Sequence, residues 1–169
     1  MWTNTGKARP ENAVDPGPGQ ESVWDYPRPP ELQHDGRLVE VKDGDVVIAS
    51  TTTALRVLET ASPPTFYLPA DDIDLDQLVE VTGNSVCEWK GRAVYWSLGR
   101  VPELPVAWSY PRPRPRFDKI RDHLAFYPGR VECYVDGERV QAQAGGFYGG
   151  WITTEVVGPF KGEPGTGHW

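Results

Sequence analysis

The sequence predicts a mainly β protein, a small antiparallel folded sheet or barrel with one short helix and long extended arms. Three observations predict this fold. Short apolar runs alternate with turn residues at regular spacing, as they do in antiparallel sheets. Asp-Gly pairs at 43–44 and 136–137 favour tight hairpin turns. The 18 glycines and 17 prolines are concentrated toward the two ends, where they favour irregular segments.

The chain divides into four segments by composition. Residues 1–20 contain few apolar side chains to offset the entropy of ordering, and we expect a disordered tail. Residues 21–36 are an extended docking arm, because two aromatic residues there precede three prolines. Residues 37–143 form the β domain. Residues 144–169 form a glycine-rich C-terminal tail, and its aromatic residues predict that it packs on the domain.

Each predicted strand is bounded by a turn or a proline. Two hairpins are centred on the Asp-Gly pairs, and Pro63-Pro64 separates two further runs. Strands are expected at 38–42, 46–50, 55–59, 65–69, 74–81, 88–98, 104–110, 131–135 and 139–143. Residues 111–116 alternate proline with arginine and predict a stiff connector. The short helix is expected within 116–125, where three apolar residues recur at helical spacing.

Charge and composition argue against several classes of function. The formal net charge is −7, which disfavours nucleic-acid binding because contact with phosphate backbones needs a basic surface. No run approaches the roughly 18 apolar residues of a membrane helix, and no secretory signature is present, so we expect a cytoplasmic protein without a membrane partner. Cys87 and Cys133 form no CxxC pair and the three histidines are scattered, so no metal site and no cofactor are predicted.

The stretch 87–110, CEWKGRAVYWSLGRVPELPVAWSY, predicts a ligand pocket. On a strand at 88–98, the odd-numbered residues share one face and the even-numbered residues the other. Large rings beside small residues and cations indicate a curved sheet around an apolar hollow. The expected ligand-binding residues are six aromatic wall residues and two polar contacts: Tyr67, Trp89, Tyr95, Trp96, Trp108, Tyr110, Arg56 and Lys90. No catalytic residue is assigned.

The two polar contacts each have an alternative interpretation. Lys90 precedes Gly91, which would allow close approach of a ligand, but a lysine at a sheet rim is also commonly solvated. Arg56 stands alone in an apolar run and could hold a carboxylate or a phosphate group. Alternatively, it pairs with Glu59 or with an aspartate of 71–76.

Two other sets of residues were weighed as catalytic groups. Asp72, Asp74 and Asp76 would share one face of a strand, as metal-dependent nucleotidyl transfer requires, but a solvated acidic edge strand is the favoured interpretation. Cys87 lies three residues before Lys90, and that odd spacing would place the two side chains on opposite faces of a strand. A buried, inert thiol is therefore favoured for Cys87.

Ordered motifs along the chain resemble the bacterial domain-of-unknown-function family 427. They are ALRVLE at 54–59, PPTFYLPADDI at 63–73, CEWKGRAVYWSL at 87–98, AWSYPRP at 107–113 and AFYPGRVECYVDGE at 125–138, flanked by ESVWDYPRPP and GGWITTEVVGPFKG. The resemblance spans 21–162, and the long ends resemble an actinobacterial subgroup. It implies a β-tent fold, similar to methionine sulfoxide reductase B and to small zinc-binding nucleotide-release factors. The cysteine pairs that bind zinc in those proteins are missing here, so a zinc role is not carried over.

Three classes of function are consistent with the sequence. The leading hypothesis is a domain that binds a small anionic or aromatic metabolite in the aromatic-walled pocket. The second is a small enzyme. It would perform either metal-dependent nucleotidyl transfer, which the label attached to the family implies, or metal-free lyase, cyclase or isomerase chemistry with Lys90 or a tyrosine as the acid–base group. The third is a protein-interaction module that uses the proline-rich segments. A homodimer is left open.

Overall fold

The computed structural model describes residues 9–169, without the side chain of Asn84. This part of the chain contains fifteen strands joined by turns and short 3-10 helices. The strands are β1 Glu21–Ser22, β2 Glu31–Asp35, β3 Val39–Asp43, β4 Val46–Thr51, β5 Ala54–Leu58, β6 Thr65–Pro69, β7 Leu78–Cys87, β8 Gly91–Leu98, β9 Pro105–Ser109, β10 His123–Phe126, β11 Glu132–Val135, β12 Glu138–Arg139, β13 Gln141–Ala142, β14 Trp151–Ile152 and β15 Val156–Val157.

Two open sheets contain most of the strands. The larger sheet has seven strands in the order β2-β5-β6-β10-β9-β8-β7, and the smaller has four in the order β12-β11-β3-β4. All neighbouring strands in both sheets are antiparallel. Within the described residues neither sheet closes into a barrel. The prediction of a mainly β, antiparallel fold is confirmed, in its open folded-sheet form.

Both predicted hairpins form, the first with its turn at Gly44-Asp45 and the second at the Asp136-Gly137 pair. β3 and β4 are joined through Gly44, whose φ is +59°. β11 and β12 are joined through Asp136 and Gly137, whose φ angles are +47° and +82°. Consecutive positive φ angles match the right-handed twist of antiparallel strands, which explains why aspartate and glycine occupy these two positions.

The main core lies between the two sheets. Alternate side chains of β6, β9 and β10 point to the four-stranded sheet and pack with Val39, Val41 and Cys133. The intervening side chains point to the opposite face of the seven-stranded sheet, where a second, more aromatic cluster forms. Because both of its faces are covered, every residue of β5 is buried.

The predicted elements at 74–81, 88–98, 116–125 and 139–143 differ in extent from the observed ones. The last is divided into β12, which pairs with β11, and β13, which pairs with β14 in another sheet. Residues 74–77 do not start a strand: Asp74 accepts a hydrogen bond from the backbone N–H of Asp76, which favours the 3-10 turn Leu75–Gln77, and β7 begins only at Leu78. Glu88, Trp89 and Lys90 form the turn between β7 and β8 instead of the start of a strand.

The third difference concerns the predicted helix at 116–125. The helical part is the 3-10 segment Pro115–Ile120, and it ends before Asp122, whose φ is +61°. Residues 123–126 instead form β10, which pairs with β6 on one side and β9 on the other. Leu124 and Phe126 face the main core and Ala125 faces the aromatic cluster, so the strand period replaces the helical one. In the described part of the chain, no helix is long and apolar enough to cross a membrane.

The arm and the C-terminal tail pack against each other and against the domain. Residues 1–8 of the predicted disordered tail lie outside the described residues. Within 9–20, the backbone N–H of Val14 donates to the carbonyl of Gly158 (2.9 Å), and Gln20 donates to Thr154. In the arm, Trp24 is buried, with its ring 4.9 Å from that of Trp169 in an edge-to-face arrangement. Short β1 pairs in parallel with β15 of the tail.

Glycines allow the tail to approach the aromatic cluster closely. A Cβ atom on Gly149 would lie only 2.2 Å from Cη2 of the Trp108 ring, so the backbone at Gly149 packs directly on that ring. A Cβ atom on Gly162 would lie 2.2 Å from the carbonyl oxygen of Ala144. A larger residue at either position would push the tail away from the sheet.

We expect Gly149→Ala to lower the free energy of unfolding by about 1–3 kcal/mol, the usual cost of overpacking a buried site. Urea denaturation should show a lower midpoint with an unchanged slope. Gly146→Ala is the matched control, since its Cβ would meet nothing within 4 Å, and it should change stability by less than about 0.5 kcal/mol. Equal midpoints for the two variants would show that the tail does not pack tightly on Trp108.

Candidate functional site

A row of side chains on the outer face of the seven-stranded sheet forms the floor of the candidate site. Tyr67, Ala125, Trp108 and Tyr95 are direct cross-strand neighbours on β6, β10, β9 and β8. Ala125 is completely buried between the two large rings. Its small side chain allows them to meet above it, so that Nε1 of Trp108 donates a hydrogen bond to the hydroxyl of Tyr67 (3.3 Å).

A cavity of about 270 Å³ lies above this floor. Tyr67, Tyr95, Trp108 and Tyr110 provide its aromatic surface, and Tyr127 completes it after β10. The rings of Trp108 and Tyr127 lie 4.6 Å apart. Ala93 and Val57 contribute small or branched apolar side chains from β8 and β5, which leave the space open between the rings.

Three tyrosine hydroxyls of the cavity, those of Tyr67, Tyr110 and Tyr127, are protonated at neutral pH. Burial raises the pKa of Tyr67 and of Tyr110 well above the ordinary value, and raises the pKa of Tyr127 to about 12. The hydroxyl of Tyr95 forms a hydrogen bond with Oγ of Ser85 (2.7 Å). Neutral hydroxyls in a desolvated space are effective hydrogen-bond donors to an anion.

The turn between β7 and β8 brings a cation into the cavity. Lys90 Nζ lies 3.7 Å from Sγ of Cys87 and 6.0 Å from the centroid of the Tyr110 ring. Both Cys87 and Lys90 line the cavity. The expectation that their side chains point to opposite faces is wrong, because residues 88–90 form a turn and the strand alternation stops at Cys87.

The C-terminal tail forms the outer wall of the cavity. Gln143 holds this wall in place: its Oε1 accepts from the N–H of Gly150 (3.0 Å), and its Nε2 donates to the carbonyl of Lys161. Lys161 and Tyr148 also line the cavity, with Nζ of Lys161 5.9 Å from the centroid of the Tyr148 ring. The site therefore depends on residues far apart in sequence.

The aromatic floor lies in a part of the chain that matches a known protein family. Residues 31–137 match the profile of a family described as a domain of unknown function, DUF427. The chain belongs to this family. The matched range includes the aromatic floor and the turn that carries Lys90, but it ends before Gln143 and the rest of the tail wall. No curated protein matches this DUF427 chain.

Five of the eight predicted ligand-binding residues line the cavity of this DUF427 protein: Tyr67, Lys90, Tyr95, Trp108 and Tyr110. Trp89 packs against the aromatic cluster but is not a lining residue. Trp96 lies on the opposite face of β8, against the main core, where its Nε1 donates to Oγ of Ser109 (3.0 Å). Arg56 is also absent from the lining, so Lys90, Trp96 and Arg56 do not converge on one cavity.

Arg56 instead joins the arm and the tail to β5. Its guanidinium is buried and donates to both carboxylate oxygens of Glu21 on β1, at 3.2 and 3.3 Å. The same group lies 3.7 Å from Asp35 on β2 and 3.7 Å from Glu155 in the tail. Neither Glu59 nor an aspartate of 71–76 is a partner of Arg56.

The three aspartates near residue 74 do not assemble into a metal site. Asp72 ends one 3-10 turn and accepts a hydrogen bond from Thr51 (2.7 Å), whereas Asp74 caps the next 3-10 turn, which contains Asp76, so the three aspartates do not share one strand face. Among residues 9–169, no group of three or more His, Cys, Asp or Glu side chains is arranged to hold a metal ion.

Sequence analysis missed Tyr127, Gln143, Tyr148 and Lys161. Tyr127 directly follows the segment taken for a helix, so its side chain was not placed on any sheet face. The other three lie in or next to the glycine-rich tail. Aromatic residues among glycines predicted that the tail packs, but nothing in the sequence indicates which surface it covers.

We expect Arg56→Met to lower the free energy of unfolding by about 3–5 kcal/mol, because it leaves Glu21 without its cation and leaves Asp35 and Glu155 with Arg37 alone. Urea denaturation at pH 7 measures the change. Arg100→Met is the matched control, since it removes an exposed pair with Asp43, and its effect should be small. A similar small loss in both variants would contradict a structural role for Arg56.

The same carboxylates predict acid sensitivity. Burial raises the pKa of Glu21, but hydrogen bonds from Arg56 and Tyr26 outweigh it and hold the pKa below its ordinary value. Burial also raises the pKa of Asp35, but hydrogen bonds from Arg37 outweigh it, and the pKa lies below its ordinary value. Since the folded pKa values are the lower ones, this contribution to stability is present above the unfolded values of about 4 and is lost as the pH falls through the folded values.

The acid sensitivity is measured as the decrease in urea midpoint between pH 6 and pH 3. Arg56→Met should show a smaller decrease than the wild type, because Glu21 no longer has the partner that lowers its pKa. An equal decrease in the two proteins would show that Glu21 and Arg56 are not coupled.

Proposed function

We propose that this DUF427 protein binds a small anionic metabolite with an aromatic or apolar body in the cavity above the seven-stranded sheet. One observation carries the proposal: the ammonium of Lys90 and buried tyrosines line the same cavity, whose floor is a row of aromatic rings. A mostly apolar pocket with a few convergent polar groups is the usual form of a small-molecule site.

The lining residues match the two parts of such a ligand. The Trp108 and Tyr127 rings provide flat apolar surfaces for a planar body. Lys90 provides the positive charge, and tyrosines with a raised pKa remain protonated and donate hydrogen bonds to the anionic group. Two lysines line the cavity, Lys90 and Lys161, against one carboxylate, Glu59, and this balance favours an anion over a cation.

The size of the cavity limits the ligand to a small molecule. About 270 Å³ is just below the range of roughly 300–1,000 Å³ typical of sites for drug-sized ligands. A single ring system with one anionic group fits this space better than an extended polymer. A cytoplasmic location is part of the same proposal, since a small metabolite is available there.

Metal-free enzymatic chemistry is the second candidate function. The observation that favours it is the contact between Lys90 Nζ and Cys87 Sγ (3.7 Å) inside the cavity, because an amine, a thiol and tyrosine hydroxyls are groups that move protons in lyases and isomerases. Turnover of a bound metabolite that is lost in both Cys87→Ser and Lys90→Gln would favour this candidate over simple binding.

The binding proposal is tested with three probes that share one ring system: 1-naphthoate, 1-naphthyl phosphate and neutral 1-naphthol. Quenching of tryptophan fluorescence should show that the wild type binds naphthoate more tightly than naphthol. Lys90→Gln should weaken naphthoate binding on the order of tenfold, the usual contribution of a charged hydrogen bond, and leave naphthol binding unchanged.

Lys119→Gln is the matched control, because Lys119 is exposed and does not line the cavity. It should leave the dissociation constants of all three probes unchanged. If none of the probes binds, or if Lys90→Gln and Lys119→Gln bind naphthoate equally well, the proposed anion site is wrong.

A further inference from the structure

Two exposed arginines beside the cavity have no acidic partner among the residues that the structure describes. Arg37, Arg100 and Arg116 illustrate the usual arrangement in this chain, since each contacts a carboxylate. Arg112 and Arg114 contact none, although acidic residues outnumber basic ones by 24 to 17 in the sequence. Positive charge left uncompensated in an acidic protein indicates a binding surface for an anion.

The backbone fixes these arginines next to the turn that carries Lys90. The N–H of Arg114 donates to the carbonyl of Lys90 (2.9 Å), and the carbonyl of Arg114 accepts from the N–H of Phe117 (2.8 Å). The carbonyl of Arg112 lies 3.3 Å from the position that a Cβ atom would take on Gly91. The connector therefore passes directly over the start of β8.

The connector is also stiff and continuous with the cavity wall. Pro111 and Pro113 fix their own φ angles, and Arg114 is extended (φ −62°, ψ 151°) immediately before the 3-10 segment that begins at Pro115. Arg112 follows the cavity-lining residue Tyr110 by only two positions. Gly91 explains the close approach: its φ is +113°, and a side chain there would meet the connector backbone. The backbone of Arg112 and Arg114 is thus fixed beside the turn that carries Lys90 before any ligand arrives.

We infer that the anionic group of the ligand is a phosphate monoester, bound jointly by Lys90, Arg112 and Arg114 at the edge of the cavity. This inference rests on the proposed function and specifies its ligand class. One lysine is sufficient for a carboxylate, whereas three cations match a doubly charged phosphate. The planar guanidinium of arginine also pairs with two phosphate oxygens at once.

An acidic protein segment is the other class of partner that an arginine-proline connector could bind. The structure favours the small molecule, because Arg114 is hydrogen-bonded to Lys90, and Lys90 itself lines the cavity. A protein partner would have no need of an adjoining aromatic pocket. The experiment includes an acidic peptide so that the two cases give different results.

The test compares 1-naphthyl phosphate with 1-naphthoate on the full chain. The wild type should bind the phosphate on the order of tenfold more tightly than the carboxylate, the difference that one or two additional charged hydrogen bonds produce. The double variant Arg112→Gln/Arg114→Gln should lose this preference while its dissociation constant for naphthoate changes less than about twofold.

Arg100→Gln/Arg139→Gln is the matched control. It removes the same amount of charge, but from exposed residues that line no part of the cavity. This control should keep the preference for phosphate. The comparison then shows that the preference comes from local contacts of Arg112 and Arg114 and not from the net charge of the protein. Circular dichroism and urea midpoints verify that both double variants remain folded.

The other outcomes decide against the inference in distinguishable ways. If naphthoate binds but the arginine variant keeps the preference for phosphate, the inference fails and the proposed function stands. If none of the naphthyl probes binds, both fail. If inorganic phosphate binds as tightly as naphthyl phosphate, the arginines form a phosphate site that is independent of the cavity. Tighter binding of hexaglutamate than of naphthyl phosphate would assign the connector to an acidic protein.

Discussion

The fold depends on a seven-stranded sheet whose two faces are both covered. One face packs on the four-stranded sheet and forms the main core, and the other carries the aromatic floor of the cavity. Because side chains alternate along each strand, β6 supplies Phe66 to the core and Tyr67 to the floor from adjacent positions. Core and site are thus built on the same backbone, so the strands that position the tyrosines are held by the packing of the main core.

The arm and the tail complete the site from outside the sheets. Arg56 brings Glu21 and Glu155 together on β5, which fixes both chain ends with one buried cation. The tail then continues over the sheet, where Gly149 packs on Trp108 and Gln143 holds the backbone of the wall. Arg56, which the sequence analysis gives as a ligand-binding residue, therefore supports the arm and the tail that form the outer wall. Of the two interpretations of Arg56, pairing with carboxylates of the protein is the one observed, but the partners are Glu21, Asp35 and Glu155 and not Glu59 or an aspartate of 71–76.

The sequence predicts cavity-wall residues on both faces of β8, but Tyr95 lines the cavity whereas Trp96 packs against the main core. Ala93, Tyr95, Trp108 and Tyr110 follow from period-two alternation, which depends only on local geometry. Lys90 was placed on the wrong face because alternation ends at Cys87, and nothing in Glu88-Trp89 marks a turn as clearly as Asp-Gly does. The helix predicted at 116–125 was extended over most of β10 for a related reason. A short apolar run that is buried on both faces shows neither a helical nor a strand periodicity. Its strand conformation depends on pairing with β6 and β9, which are distant in sequence.

The end of the family match at residue 137 does not coincide with the end of the folded unit. The wall formed by Gln143, Tyr148 and Lys161 lies beyond it, as does Trp151, whose ring stacks on Phe66 at 4.6 Å in the main core. An excised 31–137 fragment would therefore lose a core side chain together with one side of the cavity, and would expose Trp108 and Tyr67 to water. Domain boundaries drawn from this profile alone would produce an aggregation-prone piece, so shortened versions of the protein should retain the chain through at least Lys161.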